Sequence, residues 1–369
     1  VKIAVINNNL SAGGRRFEAS LIRGFRDVRP DWKISYFTDI PTFNEDIIKQ
    51  ELVSNNVEIG DYRTIFFADF DALIFTWPYD FCCPDLQIPI IFIPHDFNFF
   101  YFFESLTFSK EYSEKIRQNL SGFFERATPV VSTQFIKSEI AKFFPDYVNK
   151  TNVIQVAAMS NLPDISPEKQ AELLKKFALK PIYFLYPCSS VKPYKNLGVL
   201  AVAIYHLKQQ SIDAQIVYIG SGTDAICGDA TINGVCQNFA DVSACNVRGL
   251  GFVSDEELVA LMRGSQAVVT SSLYEAANGP AIDAWNCGVP VAMSDLPFYT
   301  EHITNSDVRA TLFDPKNAIS VTEALKYIID NREKVLADAV YSKEQLQKTT
   351  SVSAFSGEYA ELIERLTNV

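Results

Sequence analysis

The chain has 369 residues, 48% of them hydrophobic and 21% charged, a globular balance long enough for two domains of roughly 150 to 200 residues each. Its formal net charge of −11 argues against nucleic acid and against broad attachment to anionic lipid, because both demand a basic face. No run of eighteen uncharged apolar residues occurs, so no transmembrane segment is expected, while peripheral membrane contact and oligomeric state stay open.

The chain opens on Val1-Lys2-Ile3-Ala4-Val5-Ile6, a strand pattern without the charged region, apolar run and small-residue cleavage site of a signal peptide; a cytoplasmic location is the expectation. Short β-branched or aromatic runs then alternate with amphipathic stretches, the pattern of βαβ units and parallel sheets. Residues 3–6, 33–37, 72–76, 90–94 and 129–132 are the strands of a first doubly wound sheet. The periodicity lapses around Pro163, Asp164 and Pro167, which predicts a linker near 160–180. Residues 182–186, 214–219, 246–248, 267–270, 289–292 and 310–313 form a second such series. Within it, Ser254 followed three residues later by Glu257 predicts a capped helix start. From 318 to 369 the pattern is helical without a strand, so this tail must pack on existing surfaces. The expected division is a first domain over 1–165, a second over 166–345 and a terminal helix over 346–369.

The seven cysteines contain no C-x-x-C and suit reduced thiols. Cys227, Cys236 and Cys245 recur every nine residues, either as a zinc loop short of its fourth ligand or, the preferred reading, as three unrelated small residues.

The stretch with most chemistry runs from Thr270 to Val291. It places Glu275 just after a buried strand and starts a helix at Gly279-Pro280, with proline near the first helical position. A helix start offers unpaired amides and partial positive charge, which suit a diphosphate held around Asn278, Gly279, Pro280 and Ala281. Asp283 lies about one turn further on, where a carboxylate can accept from ribose hydroxyls. The two acids bracket one bound sugar nucleotide.

This stretch resembles the retaining family-4 glycosyltransferases, whose signature is Glu, seven residues, Glu on such a strand-turn-helix; Glu275 and Asp283 give Glu, seven residues, Asp. The likeness continues through Gly249-Leu250-Gly251-Phe252-Val253-Ser254-Asp255-Glu256-Glu257-Leu258, Gly288-Val289-Pro290-Val291, Ser294-Asp295-Leu296-Pro297 with Glu301, and Leu312-Phe313-Asp314-Pro315. It implies an α/β fold of GT-B type, two tandem doubly wound Rossmann-like domains facing a central cleft, with the terminal helix returning to the first domain. It also implies that Glu275 contacts donor-sugar hydroxyls, Asp283 the ribose and the helix-start amides the diphosphate.

Upstream, Tyr186-Pro187-Cys188-Ser189-Ser190-Val191-Lys192-Pro193-Tyr194-Lys195 is similar to the strand end where the family carries an Arg and then a Lys. Lys195 fits the lysine, which neutralises charge on the leaving diphosphate. The arginine is absent: Ser189 and Ser190 stand in its place, so either Lys192 supplies the second cation or phosphate binding is weaker. Ser190 and Lys192 are therefore counted with the donor-binding residues. His95, ending a buried strand, matches a family histidine that touches the donor sugar; a satisfied core histidine is the alternative. Gly13 and Gly14 match the family's Gly-Gly turn after the first strand, where backbone approaches the ligand, though an ordinary turn also explains them. Ser132-Thr133-Gln134 reads first as a helix cap, and the aromatic run 97–103 as either an acceptor pocket or core packing.

The function implied is metal-independent, retaining transfer of a hexosyl group from a UDP- or GDP-sugar to a hydroxyl of a glycan or lipid-linked glycan. No cofactor is expected. A non-catalytic GT-B adaptor or chaperone and a sugar-nucleotide epimerase are the alternatives.

Overall fold

The computed structural model describes residues 1–8, 12–39, 49–102, 109–157, 162–188, 191–227 and 246–368. The chain divides into two compact units, Val1–Ser160 with Thr350–Val369, and Asn161–Thr349.

In the first unit, β1 (Lys2–Ile6), β2 (Lys33–Thr38), β3 (Glu58–Asp61), β4 (Ala72–Phe75), β5 (Ile90–Phe92), β6 (Thr128–Val131) and β7 (Asn152–Val153) form one sheet in the order β3-β2-β1-β4-β5-β6-β7. In the second, β8 (Tyr183–Pro187), β9 (Gln215–Ile219), β10 (Val247–Gly249), β11 (Val268–Thr270), β12 (Val291–Ser294) and β13 (Thr311–Phe313) run β10-β9-β8-β11-β12-β13. The recorded pairings are parallel, such as Val5 with Tyr36 and Ile74, and Leu185 with Val217 and Val268. Strands buried on both faces require continuous apolar runs, and β4, β5 and β9 are buried at every residue. Both sheets reverse direction at one place, between β1 and β4 and between β8 and β11, the switch point at which open α/β sheets bind ligands.

The edge strands β3 and β7 were not expected. Glu58-Ile59-Gly60-Asp61 is too polar to read as a strand, and Asn152-Val153 is too short. An edge strand is held by main-chain bonds to a single neighbour and needs little apolar pattern of its own.

The terminal helix Val352–Thr367 completes the core of the first unit. Phe355, Tyr359, Ala360, Leu362 and Ile363 join the cluster that contains Ile3 and Val5. The close approach uses Gly24 of the helix Ala12–Val28, which faces Ser356. Phe17 and Phe355 meet edge to face at 5.5 Å, and Arg29 pairs with Glu364 at 2.6 Å. The unit boundaries fall a few residues from those read in the sequence. Leu162 and Ile165 pack on Leu173, Val259 and Ala260, while Arg263 holds Asp164 at 2.7 Å and the Ile165 carbonyl at 3.0 Å. These contacts assign 162–165 to the second unit. Likewise the helix Arg332–Thr349 continues past 345 and buries Leu346.

Among the described residues no helix is long and apolar enough to cross a membrane. Cys82, Cys83, Cys188 and Cys287 are free thiols. Cys236 and Cys245 of the nine-residue repeat lie outside the described residues.

Candidate active site

At the switch point of the second sheet the loops following β8 and β11 are stitched together. Leu273 donates its amide to the Tyr194 carbonyl at 2.7 Å. The Ser271 hydroxyl bonds the carbonyls of Lys195 and Asn196, each at 3.1 Å. Asn196 takes the left-handed conformation at φ 54°, which Asn tolerates better than most residues, and its side-chain amide donates to the Pro315 carbonyl at 2.8 Å. This geometry ends the short turn Pro193–Lys195 and directs the chain into the helix Leu197–Gln209.

The Lys195 ammonium is thereby brought onto Glu275, donating to Oε1. The side chains retain 10% and 18% exposure, so the pair is largely withdrawn from water yet reachable from one side. Ser272, fully buried, donates to the same Oε1 at 2.6 Å. Behind it the Tyr186 hydroxyl lies 2.7 Å from Ser272 Oγ, and the buried Tyr299 phenol sits close by. Burial pushes the Tyr186 and Tyr299 phenols well above their usual range, with neighbouring Glu275 adding to the shift. Cys188 lies close enough to feel both charges, and burial pushes its thiol up to about 12.

The helix Gly279–Asn286 starts just beyond Glu275. Asn278 caps it, its side chain accepting from the Ala281 amide at 3.4 Å, and Pro280 occupies the first turn. Trp285 anchors the helix from behind through its indole N–H to the Arg309 carbonyl at 3.0 Å. Asp283 sits a turn inside and is 9% exposed. It adds to the burial that raises the Cys287 thiol to about 11. Lys192 is half-buried at the entry to the Pro193–Lys195 turn, while Ser190 lies outside the described residues. Structure thus joins Lys195 and Glu275 directly, with Asn278, Gly279, Pro280 and Ala281 at the adjacent helix start.

In the first unit, His95 follows β5 and is half-buried, its ring meeting Phe17 edge to face at 5.1 Å and Trp77 at 6.3 Å. This apolar setting lowers its pKa to about 4, against an opposing bond to the Thr76 main chain. Gly13 and Gly14 correct the sequence reading: they lie in the first turn of the helix Ala12–Val28, not in a turn before it. An added Cβ on Gly13 would meet nothing within 4 Å, so packing does not require glycine there. Directly after them, Arg15 and, a turn further on, Glu18 are both 1% exposed and 3.8 Å apart. Glu18 accepts from Asn7, from Thr76 at 2.6 Å and from Tyr36 at 2.5 Å, tying the carboxyl ends of β1, β2 and β4 to the helix. Burial raises the Glu18 pKa, opposed by Arg15 and by these bonds. The helix after β6 is capped by Thr133, accepting from the Ile136 amide at 3.1 Å. The aromatic run resolves toward packing: Phe97 stacks on Phe143 at 5.6 Å and Phe99 meets Tyr79 at 5.0 Å, with Phe103 outside the described residues.

Residues 170–345 match the sequence family described as Glycosyl transferases group 1. The second unit belongs to that family. Among curated proteins, the O-antigen chain mannosyltransferase B of Escherichia coli is 25% identical to this chain over 194 residues. That match takes in 52% of this chain and 48% of the relative, so the chain spans about half the length of the curated protein it matches. Anabaena HepE, solved in complex with UDP-glucose, superimposes with a TM-score of 0.73 at 15% identity, covering 99% of both chains. A sucrose-phosphate synthase from Thermosynechococcus elongatus gives a TM-score of 0.72 at 14% identity, covering 99% of this chain and 98% of that one. The fold is that of the GT-B glycosyltransferases, each unit a doubly wound parallel sheet.

Sequence reasoning passed over Tyr186, Ser272 and Tyr299. Tyr186 is indistinguishable in pattern from a core strand residue, and nothing in the order of residues announces a bond from it to Ser272, 86 positions away.

Proposed function

We propose that the chain is a metal-independent, retaining glycosyltransferase that moves a hexosyl group from a UDP- or GDP-sugar to a hydroxyl of a glycan or lipid-linked glycan. The observation that carries this reading is the Lys195–Glu275 pair at the second sheet's switch point, beside the start of the helix Gly279–Asn286. Membership of the second unit in the glycosyl transferase family supports it. The donor class is suggested by HepE, solved with UDP-glucose, and the acceptor class by the O-antigen mannosyltransferase.

In the proposed reaction the acceptor oxygen attacks the anomeric carbon from the face the diphosphate leaves, so configuration is kept. The bond between that carbon and the β-phosphate oxygen breaks, the diphosphate carries away the electron pair, and a phosphate oxygen takes the acceptor's proton. Glu275 accepts from sugar hydroxyls. An ammonium has three N–H donors; one holds Glu275, and the others serve the diphosphate together with the helix-start amides around Asn278 and Gly279. Asp283 is assigned to the ribose, His95 to the donor sugar, and Lys192 and Ser190 to the diphosphate, with Gly13 and Gly14 opening room for ligand at the first helix. The compartment proposed is the cytoplasm, with any membrane contact peripheral and through the acceptor.

A thermal-shift series with UDP, GDP, ADP and their common sugars, with and without EDTA, tests this. A nucleotide at 100 times its Kd stabilises by about 2.7 kcal/mol, which raises Tm by roughly 5–10 °C for a unit of this size. The expected result is stabilisation by one base family that EDTA does not abolish. No response to any nucleotide refutes the assignment, and loss of the response in EDTA refutes metal independence.

A further inference from the structure

The hydroxyls behind Glu275 have a direction that proton counting settles. Ser272 has one proton, and a carboxylate only accepts. The 2.6 Å bond to Oε1 therefore uses that proton, and the Tyr186 hydroxyl, 2.7 Å from Ser272 Oγ, must be the donor. Its other neighbour, the Lys195 carbonyl, is further away at 3.3 Å. Tyr186 is 2% exposed and Ser272 0%. Because burial keeps the phenol protonated through the working pH range, the direction of the chain does not reverse. Donors in series polarise one another in a low-dielectric setting, so Tyr186 strengthens the Ser272 bond.

The same oxygen, Oε1, also takes the Lys195 ammonium. Among the described residues no hydrogen bond reaches Oε2. The carboxylate is thus anchored through one oxygen and presents the other. We propose that Tyr186 is a positioning residue which, acting through Ser272, fixes the Glu275 carboxylate with Oε2 committed to the hydroxyls of the donor sugar. This rests on the reading of Glu275 as the donor-sugar residue.

The test compares wild type with Tyr186→Phe, Ser272→Ala, their double variant, Ser272→Thr and Glu275→Ala. For each, kcat and KM are measured for release of UDP from UDP-glucose or GDP from GDP-mannose, with Kd for the bare nucleotide and Tm. Tyr186→Phe should lower kcat about fivefold to tenfold, the effect of one hydrogen bond felt in the transition state. KM, the nucleotide Kd and Tm should stay near wild type, because the scaffold and diphosphate contacts are unchanged. The double variant should match Ser272→Ala, since Tyr186 acts through that hydroxyl, and Ser272→Thr should retain most of the rate. Unchanged kcat in Tyr186→Phe overturns the proposal, as does a parallel loss of kcat, nucleotide affinity and Tm, or independent losses that multiply in the double variant. If Tyr186→Phe does not fold, a loss confined to kcat in Ser272→Ala and recovered in Ser272→Thr supports the chain, and its absence overturns it. Glu275→Ala separates the two levels. Normal turnover there, or none in wild type, defeats the reading of Glu275 and this proposal with it; loss there with full activity in Tyr186→Phe defeats the Tyr186 assignment alone.

Discussion

Replacing Lys195 by Met removes the ammonium while keeping most of the stem's volume, which isolates the ion pair from packing. The Glu275 carboxylate then keeps only the Ser272 bond in a site where its side chain is 18% exposed. Breaking a fully buried pair costs about 3–5 kcal/mol. With one side of Glu275 open to water and one donor retained, about 2 kcal/mol is the expected loss. For a unit of this size that lowers Tm by about 4–8 °C. Glu275→Gln combined with Lys195→Met removes both charges and should recover much of the loss, a coupling of about 2 kcal/mol in the double-mutant cycle. A largely buried pair is poorly screened, so the cycle should read nearly the same at low salt and in 0.5 M NaCl, about a 4 Å Debye length. The assay is scanning calorimetry of the four proteins. Lys195→Met melting with wild type, or a coupling that vanishes in salt, would mean the pair is exposed and the reasoning wrong.

Further outcomes follow from other contacts. Gly24→Ala should lower Tm: the added methyl would lie 2.1 Å from Ser356 Oγ and 2.8 Å from the Val352 carbonyl oxygen, and this clash outweighs the roughly 1 kcal/mol that Ala gains over Gly in a helix. A rise in Tm would contradict the helix pairing. His302 is 3% exposed and burial lowers its pKa from 6.5 to about 4, so the unfolded chain binds more protons between those values and stability falls as pH drops from 6.5 through 4. His302→Leu should flatten that acid limb in urea titrations at several pH values; an unchanged slope would show that the imidazole is not buried neutral. His95, also at about 4, should be neutral in the working range, and nucleotide release should show no inflection near 6.5. An inflection there that disappears in His95→Gln would refute its neutral state.

The buried strands were readable because parallel strands covered on both faces leave unbroken apolar runs, as in Ile216-Val217-Tyr218-Ile219. Glu275 and Lys195 were readable as individual residues because each follows such a strand in a recognisable motif. Their direct pairing was not, since it depends on Ser271 and Leu273 drawing two loops together across some 75–80 positions. Arg15 and Glu18 look like the polar face of an amphipathic helix, and only the carboxyl ends of β1, β2 and β4 reveal that they are buried partners. The glycines at 13 and 14 misled because glycine usually marks a turn, whereas here both stand in the first helical turn. The unit boundary moved for a similar reason: a Pro- and Asp-bearing stretch reads as linker until Arg263 is seen to hold it.

The central claim is tested most directly by nucleotide release from UDP-glucose and GDP-mannose, followed in wild type and in Glu275→Ala, with Tm recorded on the same samples. The account predicts turnover of one donor by wild type and a loss of about 100-fold or more in kcat for Glu275→Ala, in a protein that still melts cooperatively within about 10 °C of wild type. Near-normal release by a folded Glu275→Ala protein, or no release of either nucleotide by wild type, would contradict it.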